Sequence, residues 1–158
     1  MKFPKYTKEN PSPNYQKLLD IYSDMHKNGK RKLSSNGTIS LSDPDDTFPG
    51  KQTLQHAGII KKMCDFYNPR SMLDFGSGKS NHYNTQINDK EGRTFENLKQ
   101  YWGLAEIETY EPGLGSKLSD NIFDAVICTD VIEHIFFGDV FWTLQELFKK
   151  SRKFVYVN

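Results

Sequence analysis

The chain is poor in cysteine, with two in 158 residues, Cys64 and Cys128. Two thiols cannot build the disulfide framework of a small secreted domain, and both lie in apolar surroundings, where cysteine behaves as a small buried hydrophobe. Long hydrophobic runs are also missing. No segment approaches the roughly 20 apolar residues that cross a bilayer. The stretch from Met1 to Lys8 lacks the apolar centre of a secretory leader. Nor is one sign of charge in excess. The 21 Lys and Arg balance 20 Asp and Glu for a net charge of +1, which argues against broad electrostatic capture of nucleic acid. The basic stretch Lys27, Lys30, Arg31 and Lys32 reads as a solvated loop, and there are no internal repeats. These absences point to a reduced, cytoplasmic protein of one domain, long enough to bury a core.

Aromatic residues are plentiful, with 11 Phe, 8 Tyr and 2 Trp. Residues 1–13 carry three prolines among polar residues and read as a loose arm. Tyr15, Leu18, Leu19, Tyr22 and Met25 recur at helical spacing up to Asn28-Gly29, a pair that ends helices. Residues 30–47 read as loop, and Phe48-Pro49-Gly50 as a turn. Leu54, Ala57, Ile60, Met63, Cys64 and Tyr67 predict a second helix, closed by Asn68-Pro69. Strands are expected at 71–75, 105–110, 123–129 and 154–157, with helices near 95–102 and over 140–150. Strands alternating with helices imply an α/β sheet. The nearly continuous apolar run from Phe123 suits a central parallel strand covered on both faces.

The decapeptide Ser71-Met-Leu-Asp74-Phe-Gly76-Ser77-Gly78-Lys79-Ser80 carries the chemistry. Glycines just after a strand allow a tight turn and close approach to a ligand, and a helix starting there would aim free N–H groups at it. Three ligand classes compete. A P-loop nucleotide hydrolase needs glycine where Leu73 stands, although Ala125 to Asp130 is a passable partner strand for magnesium. A dinucleotide fingerprint needs glycine at Asn81. The third is a nucleoside loop of acidic-x-Gly-x-Gly-x-Gly form, in which only the third glycine is replaced, by Ser80. That reading calls for a second carboxylate, one that accepts from ribose hydroxyls at the end of the next strand. Glu111, before Pro112-Gly113, supplies it.

Phe123-Asp124 opens the next strand, and Asp130-Val-Ile-Glu133-His134 closes it. With the glycine motif and Glu111, in that order, these residues resemble the class I methyltransferase superfamily that uses S-adenosylmethionine (SAM), over roughly residues 52–158. Tyr22-Ser-Asp-Met25-His26 and Thr47-Phe48-Pro49-Gly50 look like leading segments of phage-type and environmental members. The resemblance implies a Rossmann-like, mostly parallel sheet with flanking helices. Residues 1–50 would form an arm and helical cap, and 51–158 the SAM-binding core. SAM would be held by Asp74, Gly76, Ser77, Gly78, Glu111, Pro112, Thr129 and Asp130. Methyl transfer would involve Glu133, His134 and the capping His26. In some members an equivalent cluster, here Asp130, Glu133 and His134, holds a divalent metal, given a helix starting near Asp130. Lys79, His82, Tyr83 and Phe48 are lesser candidates. A SAM-binding protein without transferase activity is the alternative.

The spacing departs from the family in two places. Asp74 to Glu111 is long because of the polar segment 81–93, expected as a loop over the site or a disordered excursion. Glu111 to Asp124 is too short for the usual third strand, and the chain stops at what would be the fifth, so the third strand and a C-terminal hairpin are expected to be missing. The N-terminal helices or homo-oligomerisation would then cover the edge. The methyl acceptor is not legible.

Overall fold

The computed structural model describes residues 6–158. Its centre is a parallel sheet of four strands: β3 (Ser71–Phe75), β6 (Glu106–Tyr110), β7 (Phe123–Cys128) and β8 (Ser151–Val157), in the order β6-β3-β7-β8. The central pair is paired on both sides and buried, as the apolar runs require: every residue of β3 and all of β7 except Asp124 are buried. Alternate side chains go to opposite faces. Met72, Ala125 and Ile127 pack with Ile60 and Cys64 of α2 (Thr53–Tyr67) and with Leu98 and Trp102 of α3 (Leu98–Trp102). Leu73, Phe75, Val126 and Cys128 pack with Leu147 of α4 (Phe137–Lys149) on the other face. Burial pushes the Cys64 thiol up to about 12, so both cysteines are inert apolar filling.

Helix α1 (Pro13–Asn28) crosses the carboxyl ends of the strands and packs against a short turn at Pro112–Leu114. Pro13 at its first position and Ser12 as N-cap start it; Gly29, at φ +81°, ends it. The expected loose arm is corrected over 6–12, since residues 1–5 lie outside the described ones. Buried Ser12 donates its amide to Asp139 Oδ1 on α4 at 2.9 Å, and Lys8 reaches Glu146. Polar residues dock here because α4 offers buried carboxylates.

The expected loop 30–47 contains an antiparallel hairpin, β1 (Arg31–Leu33) with β2 (Ile39–Leu41), whose side chains are all exposed. The segment 81–97 is ordered as a single turn, Asn81–Asn84, and a two-residue hairpin, β4 (Ile87–Asn88) with β5 (Thr94–Phe95). Arg93 pairs with Asp89 across its tip. Helix α4 begins at Phe137 rather than 140, and β8 at Ser151 rather than 154. Among the described residues no strand lies outside β6, and no helix is long and apolar enough to cross a membrane.

Candidate functional site

A cavity of about 540 Å³ opens at the carboxyl ends of the strands, within the roughly 300–1,000 Å³ of small-molecule sites. Its floor is the glycine loop and the end of β6, and its roof is α1. One wall is the Phe48-Pro49-Gly50 strap with the first residues of α2, and the other is Thr129 to Ile135.

The loop is built by its amides. Those of Gly76 and Ser77 donate to Tyr110 O, and that of Gly78 to Glu111 Oε2 at 3.0 Å. Lys79 N donates to Phe48 O, and Asn81 N to Pro49 O. Gly76 has φ +81° and Gly78 φ +57°. A Cβ at Gly76 would overlap Val131, and one at Gly78 the Phe48 carbonyl, so only glycine lets these chains touch. Ser80, where the motif's third glycine would stand, also takes the left-handed conformation, φ +58°. No helix starts at the loop: a single turn follows, and the amides of 76–81 are bonded within the protein. Lys79 Nζ points away to Pro44 O and Asp45.

Glu111 directly follows Tyr110, the last residue of β6, and lines the cavity. Oε2 accepts from Gly78 N and Oε1 from Gly113 N at 2.9 Å. Burial raises its pKa above the ordinary carboxylate value, against the pull of these two amides. His26 Nε2 lies 3.8 Å from Oε1. Burial, with Lys79 adding, lowers the His26 pKa and keeps the ring neutral, so this contact is not an ion pair.

Among the candidate residues, Gly76, Gly78, Glu111, Pro112, Thr129, Asp130, Glu133 and His134 line the cavity; Asp74, Ser77 and His26 do not. Asp74 is fully buried beneath the loop, its Oδ2 accepting from Tyr83 Oη at 2.9 Å and lying 3.1 Å from His82 Nε2. His82 and Tyr83 thus brace the loop from below. Asp130, at φ +54°, accepts from Asn158 Nδ2. Glu133 and His134 are half exposed on the rim, 3.8 Å apart.

The expected metal cluster is corrected. Among the described residues, no group of three His, Cys, Asp or Glu side chains could hold a metal ion. Asp130 and Glu133 would share a helix face only if a helix began at 130, but an isolated turn at Ile132–His134 follows, and α4 starts at Phe137.

Sequence reasoning missed the cavity faces of Tyr15, Leu18, Leu19 and Tyr22, whose helical stripe reads like any core stripe. It also missed Lys30, Asp46, Gln52, Thr53, Val131 and Ile135. Thr53 Oγ1 and Thr129 Oγ1 share a hydrogen bond of 2.8 Å that ties α2 to the end of β7. Tyr22 stacks on Phe48 at 5.0 Å, and the Lys30 ammonium lies 5.8 Å from the same ring. Comparison with family models, curated proteins and solved structures finds no match to the chain.

Proposed function

We propose that the protein is a SAM-dependent methyltransferase with a Rossmann-like core. The observation that carries this reading is the 3.0 Å bond from Gly78 N to Glu111 Oε2. It joins a glycine loop to the carboxylate that ends the neighbouring strand, on the floor of the cavity. A nucleoside needs that pairing, because the loop lets backbone approach the ligand while the carboxylate accepts from the sugar hydroxyls. Each Glu111 oxygen takes one amide and keeps a lone pair for a hydroxyl.

The lining suits SAM in charge as well. Asp46, Glu111, Asp130 and Glu133 outnumber Lys30 and Lys51, which favours a sulfonium cation. Tyr15, Tyr22 and Phe48 offer faces to an adenine ring or to the cation. The phosphate alternative lacks its donors, since the loop amides are already bonded and Lys79 is turned away. Bound SAM supplies an electrophilic methyl group. The chain's part is to hold it in line with the acceptor, and such alignment can provide much of the rate. Glu133 and His134 line the rim; in this reading they would orient the acceptor, and His134 would take its proton where one must leave.

Calorimetric titration with SAM, S-adenosylhomocysteine and ATP tests this. Binding of the first two without ATP is expected, with S-adenosylhomocysteine released in the presence of an acceptor pool. Tight ATP binding with no response to SAM would sink the reading. SAM binding with no turnover on any pool would make the protein a SAM-binding module.

A further inference from the structure

We propose that His26 is a ligand-binding residue of this site, its Nε2–H sharing one sugar hydroxyl with Glu111 Oε1. The inference rests on the nucleoside reading and deepens it by adding a second group that recognises the sugar.

His26 is 5% exposed, and neither ring nitrogen has a hydrogen-bond partner. Buried polar groups are nearly always paired, so an imidazole with both nitrogens unpaired calls for an explanation. The 3.8 Å from Nε2 to Glu111 Oε1 is too long for a hydrogen bond. It is, however, a gap that one oxygen can bridge, lying about 2.8 Å from each. A hydroxyl there would donate to the carboxylate and accept from the imidazole. Gly113 N holds Oε1 in place, and a Cβ at Gly113 would come within 3.0 Å of both Glu111 Oε1 and His26 Cδ2, so the two groups are near neighbours.

The surroundings fit a site that opens for its ligand. His26 continues the α1 stripe of Tyr15, Leu19 and Tyr22, which lines the cavity one turn earlier. Phe48 lines the cavity and packs on the His26 ring at 5.2 Å, so it screens the imidazole. Phe48 has φ +50°, a strained conformation for a bulky side chain. On this proposal the sugar hydroxyl enters between His26 and Glu111, and the Phe48 ring gives way to it.

The test is calorimetric titration of wild type and His26→Phe with S-adenosylhomocysteine and its 2′-deoxy and 3′-deoxy forms. His26→Phe keeps the ring shape and removes the nitrogens. It is expected to weaken the ribose ligand about five- to tenfold, as for one hydrogen bond. One deoxy form should lose less than about twofold, because the shared hydroxyl is already gone. The melting temperature should not fall, since an unpaired buried group is removed. If His26→Phe does not fold, His26→Asn carries the same comparison. Equal affinity in variant and wild type, or an equal loss for all three ligands, overturns the role of His26 alone. A wild type that binds none of the three overturns this role and the nucleoside reading together.

Discussion

At the scale of single residues, the site depends on a few atoms that admit no substitute. Gly76 combines a left-handed backbone with contact to Val131. Gly76→Ala forces either the loop or Val131 to move, at a cost of about 2–4 kcal/mol from strain and overpacking together. Urea unfolding measures that loss, and S-adenosylhomocysteine affinity should fall with it. Glu111 makes a pH prediction. Its folded pKa is raised, chiefly by burial. A carboxyl of this kind contributes stability that is present below its unfolded value, about 4.3, and is lost as pH rises through the folded value. Wild type should therefore lose stability relative to Glu111→Gln as pH climbs from about 4, read from melting temperatures across pH. On the proposed function, ligand affinity runs the other way, because only an ionised Glu111 carboxylate would accept two sugar hydroxyls. Wild-type binding should strengthen with pH over that window, and Glu111→Gln binding should stay flat.

At the scale of elements, α1 makes the cavity, and α4 holds α1 in place. Buried Asp139 accepts from the Ser12 amide, the Ser12 hydroxyl and Trp142 Nε1. Asp139→Ala leaves three donors unpaired and should cost about 2–4 kcal/mol. Hydrogen exchange across residues 13–28 should rise, and ligand affinity should drop as the roof loosens. Lys8→Ala removes a partly exposed ion pair with Glu146 and should cost less than about 1 kcal/mol. Comparable losses in the two variants would show that the N-cap is not the anchor. The legible elements were those with strong periodicity: α1, α2 and the four core strands all stand within a few residues of their expected positions. The β1–β2 hairpin was not legible, because its strands of three exposed residues bury no face and so leave no alternation. The docked arm was missed for a similar reason, since Ser12 and Lys8 are held by carboxylates more than 120 positions away.

At the scale of the whole molecule, the sheet separates two cores. Ile60 lies in one and Leu147 in the other, both almost fully buried. Ile60→Ala and Leu147→Ala should each cost about 2–5 kcal/mol. Their effects should add in the double variant, since a layer of strands stands between them. Denaturant titration of the three variants checks this, and strong coupling would mean that the two faces relax together.

The sequence alone determined the sheet strands, the glycine turn and the carboxylate that ends β6. These are local matters: apolar runs choose strands, left-handed backbone chooses glycine, and a turn follows Pro112-Gly113. The tertiary structure alone decided which polar groups meet. It placed Asp74 under the loop with His82 and Tyr83, drew Phe48 over His26, and did not gather Asp130, Glu133 and His134 into a group that could hold a metal ion. Burial and pairing are set by elements distant along the chain, and spacing cannot report on a neighbour that arrives from another part of it.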